Sequence, residues 1–322
     1  MVATSIWPWA GFVGVVLILL ALDLGVIHRR PREIRPAEAA LATAGWVLLA
    51  LMFAAGLLAF KGRAASLTFV TGYVLEESLS IDNIFLMVLI FTFFSVPKPL
   101  QYRVLFYGVV GALVMRAVFI GAGVVLIHRF AWIIPLFGAF LVYAGIRMLF
   151  KGREGVDVER NPVVVFVRRF VPLTERLEGD RFVVTRGGRW MGTPLLLVLV
   201  VVEVTDLVFA ADSIPAVFGI TRDPFLVFTS NIAAVLGLRS LYFLLAAVID
   251  RFYLLRYGLA AILAFVGATM LGESRVQVPT AVTLAVIVAI LSASVAGSLL
   301  RPRVDAASRP GPPPTSGPPH RQ

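Results

Sequence analysis

Apolar runs of about 20 residues, the length at which a helix crosses the hydrocarbon core of a bilayer, dominate this chain. Nine such runs follow one another: 9–27, 41–60, 67–94, 104–127, 132–150, 193–218, 225–249, 254–271 and 278–300. Within lipid no water is present to pair with the backbone, so each run must satisfy its own N–H and C=O groups, which favours helices. The expected fold class is an all-α membrane protein of about nine transmembrane helices. Composition agrees, at 59% hydrophobic against 15% charged residues. There is no cysteine, which excludes disulfides, thiolate metal sites and cysteine nucleophiles, and three histidines offer little for a zinc centre.

A formal charge of +10 would suggest nucleic acid in a soluble chain, but in a membrane protein the placement of the cations matters more. The segments 28–40, 95–103, 151–190, 249–257 and 301–322 together hold 21 of the 29 Lys and Arg. The connections on the other side hold five, Lys61, Arg63, Arg129, Arg222 and Arg275, and Arg116, Arg147 and Arg239 lie inside predicted spans. The bias predicts a multi-pass protein of a bacterial-type plasma membrane, N-terminus outside and C-terminus cytoplasmic, with no nucleic-acid partner. The first run is read as a mature helix, since no basic residue precedes His28 and no small-residue cleavage site follows it. The 151–190 stretch reads as a basic cytoplasmic linker whose segment 162–172 lies against headgroups. The Pro-rich tail, 301–322, is too poor in apolar residues to build a core and is predicted to be disordered.

An internal repeat organises the rest. VLEESLSIDNI (74–84) aligns with VTDLVFAADSI (204–214), placing Glu76 on Asp206, Asp82 on Asp212, Asn83 on Ser213 and Ile84 on Ile214. Met115-Arg116-Ala117 then matches Leu238-Arg239-Ser240, and GAFLVYAGIRM (138–148) matches AAILAFVGATM (260–270). Each unit carries three spans, and an odd number inverts the second copy in the membrane. The predicted organisation is two N-terminal helices (1–66), a first three-helix unit (67–150), the linker, a second three-helix unit (191–272), a C-terminal helix (273–300) and the tail. Inverted units of this kind commonly enclose a binding site near the bilayer midplane.

Seven carboxylates fall within the spans: Asp23, Glu76, Glu77, Asp82, Glu203, Asp206 and Asp212. Each ionised acid at the bilayer centre costs at least ~2.5 kcal/mol on insertion scales. Pairing with the in-span arginines is one explanation, preferred for Asp23 and Glu77. The repeated acid-x5-Asp-(Asn/Ser)-Ile pattern points elsewhere, to a metal-ligand set of Glu76, Asp82, Asn83, Asp206, Asp212 and Ser213, with Glu203 on the face of Asp206. Such hard oxygens suit Mg2+, Ca2+ or Mn2+. Converging carboxylates repel unless a cation or protons neutralise them, so metal movement in exchange for protons is expected. Residues six apart on a straight helix point about 120° away from each other, so Glu76 and Asp82 share one spot only if the helix bends. Pro215, which cannot bond to the Ala211 carbonyl, offers a bend in the second unit. Glu76, Ser80 and Asn83, at i, i+4 and i+7, form a polar stripe expected to pack against another helix rather than lipid.

At these residues the chain resembles the TerC family of membrane proteins, named for tellurium resistance. The resemblance is carried by ALDLGVIHR (21–29), LTFVTGYVLEESLSIDNIFLMVLIF (67–91), YRVLFYGVVGALVMRAVFIGAG (102–123), FGAFLVYAGIRM (137–148), VEVTDLVFAADSIPAVFGITRDPFLVFTSN (202–231) and LGLRSLYFLLA (236–246). It implies manganese homeostasis by export of Mn2+ or by metal loading of secreted enzymes, the inverted three-helix repeat of LysE-type exporters, and metal handling by the acids of the ESLSIDN and EVTDLVFAADS segments. Glu77 departs from the family pattern. No resident cofactor is expected: Mn2+ enters as the transported ion. Two other readings are a membrane partner that delivers metal without driving flux, and a tellurite-type oxyanion transporter centred on Arg116, Arg147 and Arg239. No HExxH, Gly-x-Ser-x-Gly or phosphate-binding glycine loop is present, so the chain is not expected to be an enzyme.

Overall fold

The structure, a computed structural model, describes residues 6–22, 34–150, 162–246, 248, 252–273 and 275–300. Its helices are α1 (Ile6–Leu22), α2 (Pro36–Lys61), α3 (Arg63–Phe93), α4 (Lys98–Arg129), α5 (Ile133–Phe150), α6 (Pro162–Phe170), α7 (Pro194–Phe218), α8 (Pro224–Leu245), α9 (Leu255–Gly272) and α10 (Thr280–Leu300), with one hairpin of β1 (Val183–Arg186) and β2 (Arg189–Gly192). Among the described residues, seven helices are long and apolar enough to cross a bilayer: α2, α4, α5, α7, α8, α9 and α10. Helix α1 is shorter, at 17 residues, and the apolar run of the continuous helix α3 is interrupted by Glu76, Glu77 and Asp82. Asp23, the 151–161 stretch and the 301–322 tail lie outside the described residues.

Helix boundaries follow local chemistry. Proline opens α2, α4, α7 and α8 in the first turn, where its missing N–H costs nothing. Asp223 caps α8 by accepting from the Phe225 and Leu226 amides at 2.9 and 3.4 Å. Gly62, at φ 88°, is the single residue between α2 and α3, a conformation that favours glycine. Pro215 sits inside α7 and the helix runs on through it to Phe218.

The centre of the bundle is formed by α3 and α4 crossing α7 and α8, with α5 packed along α9. Helix α2 covers α3 and α8, and α10 covers α3 and α9. The α5–α9 contact is made backbone to backbone. A Cβ on Gly138 would lie 2.9 Å from the Gly267 carbonyl, one on Gly267 would lie 2.6 Å from the Gly138 carbonyl, and one on Gly145 would lie 2.6 Å from the Ala260 carbonyl. Small residues at such a crossing allow close van der Waals packing where lipid removes the hydrophobic incentive. The two helices run antiparallel, 138 facing 267 and 145 facing 260.

Between the two halves, α6 buries Val164 and Val167 against the start of α7 and leaves Val165, Phe166 and Phe170 exposed beside Arg168 and Arg169. The strand pair after it was not expected from the sequence. Its signal is Gly187-Gly188 between Val-Val-Thr and Trp-Met, and both glycines adopt positive φ, 57° and 75°, as a two-residue hairpin turn requires.

Candidate functional site

Where α3, α4, α7 and α8 meet, six polar side chains are buried: Glu76 and Asn83 from α3, Arg116 from α4, Asp206 and Ser213 from α7, and Asn231 from α8. Helical periodicity puts them there. Residues seven apart return to the same face, so Asn83 follows Glu76 and Ser213 follows Asp206, and the stripe of Glu76, Ser80 and Asn83 is buried throughout. Arg116 is the hub. Its Nη1 donates to Glu76 Oε1 and, at 2.6 Å, to Asn231 Oδ1, while its Nε lies 3.8 Å from Asp206 Oδ2. Asn83 Nδ2 donates to Asp206 Oδ1 at 2.6 Å. The three charged groups are only 1 to 2% exposed, so each needs its partners to offset the cost of leaving water.

That satisfaction is incomplete. Glu76 Oε2, Asn83 Oδ1, Asp206 Oδ2 and Ser213 Oγ accept or donate no hydrogen bond, and neither do Arg116 Nε and Asn231 Nδ2. Buried polar atoms are ordinarily paired, so a group with several orphaned oxygens has capacity for a further ligand. Two carboxylates and one guanidinium leave it one formal negative charge.

The remaining candidate residues lie elsewhere. Asp82 and Asp212 are half-buried, and Asp212 is within electrostatic reach of both Asp82 and Arg147. Glu76 and Asp82 thus diverge, as their six-residue spacing on an unbroken α3 demands. Glu203 is half-buried within reach of Asp206, and its carboxylate packs onto Gly111 of α4, where a Cβ would collide with it. Glu77 lies on a different face from Glu76, beside Tyr73 and 3.4 Å from a Cβ placed on Gly237. Among the described residues no three His, Cys, Asp or Glu side chains gather as a ready metal-ligand cluster. The structure therefore groups the four acids of the aligned segments as Glu76 with Asp206 across Arg116 and Asp82 with Asp212.

Arg239, the counterpart of Arg116 in the alignment of the two units, lies 4.4 Å from the ring centre of Tyr102 and shares with Asp206 the wall of a cavity of about 10 Å3, room for one water. Asn231 was not singled out in the sequence. Its signal is the buried triplet Thr229-Ser230-Asn231 in a largely apolar span, since polar residues at membrane depth are expensive and mark sites by default.

Residues 61–306, which contain every member of this cluster, match the model of the integral membrane protein TerC family. The chain belongs to the TerC family. Among curated TerC relatives, it is 45% identical over 295 residues to the "Uncharacterized membrane protein STKORF319" of Myxococcus xanthus, covering 92% of each chain. It is 44% identical over 292 residues to the "Putative membrane-bound redox modulator Alx" of Escherichia coli K12, covering 88% of this chain and 91% of the relative. A Rickettsia bellii membrane protein is 34% identical over 296 residues. No solved structure matches this TerC chain.

Proposed function

We propose that this TerC-family protein exports a divalent metal ion, Mn2+ before others, and that the buried Glu76, Asn83, Asp206 and Ser213 hold the ion, with Glu203 beside them and Asp82 and Asp212 as a second station. The observation that carries this reading is the set of orphaned oxygens on α3 and α7. Carboxylate, amide and hydroxyl oxygens form a hard ligand set suited to Mg2+, Ca2+ and Mn2+. The choice of Mn2+ among these rests on the family resemblance.

An inverted repeat of α3–α5 and α7–α9, within nine spans, supports the same reading. Exchanging the units converts the α3–α8 contact into α7–α4 and the Gly138–Gly267 contact into Ala260–Gly145, and both members of each pair are present. The same exchange maps the Asn83–Asp206 pair onto Ser213 and Glu76, and each of those two residues carries an orphaned oxygen. The basic 28–40, 151–190 and 301–322 segments favour a cytoplasmic C-terminus. A chain with no cysteine has no thiol couple, so an effect of the kind that the E. coli relative's name describes would run through metal supply. The oxyanion reading is weakened at one of its three arginines, because Arg116 is engaged by Glu76 and Asn231.

Purified protein in liposomes should move Mn2+ in preference to Mg2+ and Ca2+, faster against an opposing proton gradient, and should not move tellurite. Flux of tellurite alone overturns the proposal, and Mn2+ binding without flux replaces it with the metal-delivery reading. In cells, loss of the protein should raise internal manganese and manganese sensitivity. Wild type should restore tolerance, and membrane-inserted Asp82→Asn or Asp212→Asn should not. Full rescue by both variants removes the second station.

A further inference from the structure

We propose that Arg116 is a built-in counter-cation, displaced from between Glu76 and Asp206 whenever the divalent ion binds, so that its withdrawal both sets the affinity of the site and links occupancy to movement of α4. This rests on the metal-export reading above and adds to it a residue that carries no metal ligand.

The geometry points to a guanidinium held firmly on one side and loosely on the other. Both of its hydrogen bonds leave from Nη1, one to Glu76 and one to Asn231, while Nε is unpartnered and 3.8 Å from Asp206. The group faces two acids contributed by the two units, yet bonds to one of them. With Arg116 in place the cluster carries one formal negative charge, too little to neutralise a divalent ion. With it withdrawn, two carboxylates and two neutral oxygens remain.

A divalent cation and the guanidinium cannot share this place. Like charges a few ångströms apart, buried from water, repel far more than the same charges in solvent. Among the described residues, the cavity that shares Asp206 offers Arg116 no refuge. The cavity beside Asp206, lined also by Ala112 and Gly108 one and two turns from Arg116 on α4, holds about 10 Å3, enough for a water and far too small for a guanidinium. With no room there, Arg116 leaves the acids through a shift of α4 against α3 and α7. Asn231 on α8 is its anchor: it accepts from Nη1 at 2.6 Å and contributes no charge.

The test is Mn2+ binding to the purified full chain, by calorimetry, paired with liposome flux. Arg116→Gln is expected to bind Mn2+ tighter than wild type, by roughly 10- to 100-fold for loss of one unit of like charge nearby, and yet to lose flux because occupancy no longer moves α4. Arg116→Lys should return the affinity toward wild type. Asn231→Ala, which keeps every charge, should bind roughly 10- to 100-fold tighter for loss of one hydrogen bond to a charged group. A merely structural arginine would give the opposite sign, weaker binding in parallel with lost stability. Folded Arg116→Gln and Asn231→Ala proteins that bind Mn2+ no tighter than wild type overturn the inference. Should Arg116→Gln fail to fold, Asn231→Ala decides alone. The two proposals fail separately: wild-type binding lost in Glu76→Gln but unchanged in Asn231→Ala sinks only the counter-cation, whereas no Mn2+ binding by wild type sinks both.

Discussion

Asp206→Asn is expected, on the proposed metal-export reading, to bring Mn2+ flux in liposomes to background and to weaken Mn2+ binding at least about a hundredfold, as loss of one proposed ligand charge in a low-dielectric site requires. The substitution is nearly isosteric, so the effect is electrostatic. Asp206 Oδ1 accepts from Asn83 at 2.6 Å and Oδ2 lies 3.8 Å from Arg116 Nε. An amide in this position turns its NH2 toward one of two donors and leaves a buried donor unpaired. Breaking a buried charged partnership costs about 3–5 kcal/mol, but here Glu76 still compensates Arg116 and the charge of the group falls only to zero. The folded protein should therefore survive with a lowered melting temperature, and the loss of flux should exceed anything explained by lost protein. Glu76→Gln should be worse for stability, because Arg116 then keeps only the distant carboxylate. Retention of more than half the wild-type flux by folded Asp206→Asn would remove this acid from the ion's path.

Much of this arrangement was legible because helices obey a fixed period. The stripe of Glu76, Ser80 and Asn83 could be placed on one face from spacing alone, and its burial followed from the cost of polar groups in lipid. The divergence of Glu76 from Asp82 was equally legible, since six residues turn a helix away from where it started. What spacing cannot supply is the identity of the neighbour. Arg116 stood among three in-span arginines with nothing to say that it, rather than Arg239 or Arg147, would lie between Glu76 and Asp206. Asn231 was hidden for a related reason: an uncharged amide does not stand out among in-span charges, though its two polar atoms need partners as surely as a carboxylate does. The hairpin at 183–192 was missed because the surrounding stretch reads as charged linker. Its Gly-Gly turn is the local signal, and four-residue strands are too short to show alternation.

Gly145→Ala and Gly267→Ala are expected to destabilise the bundle severely and equally, whereas Gly138→Ala is expected to cost less. All three residues lie where α5 and α9 touch. The Cβ added at Gly145 would come 2.6 Å from the Ala260 carbonyl, and the one added at Gly267 would come 2.6 Å from the Gly138 carbonyl. Neither obstacle is a side chain that can rotate away, so the helices must part along their length. Overpacking of a core commonly costs 1–3 kcal/mol where side chains can yield, and roughly 3 kcal/mol or more is expected against rigid backbone. At Gly138 the added Cβ would lie 2.9 Å from the Gly267 carbonyl, and the alignment places Ala260 at the equivalent position of the second unit. The bundle already accommodates alanine there once, and the helix propensity of alanine over glycine returns about 0.5–1 kcal/mol. Gly121→Ala, on α4 with nothing within 4 Å of its Cβ, provides the control that should not fall. Thermal unfolding of the four purified variants measures the pattern. Matched losses at 145 and 267 follow if the two units are related by a two-fold axis through this contact. A large loss at one and none at the other would separate the α5–α9 packing from the repeat, and with it the symmetry that pairs Glu76 with Asp206.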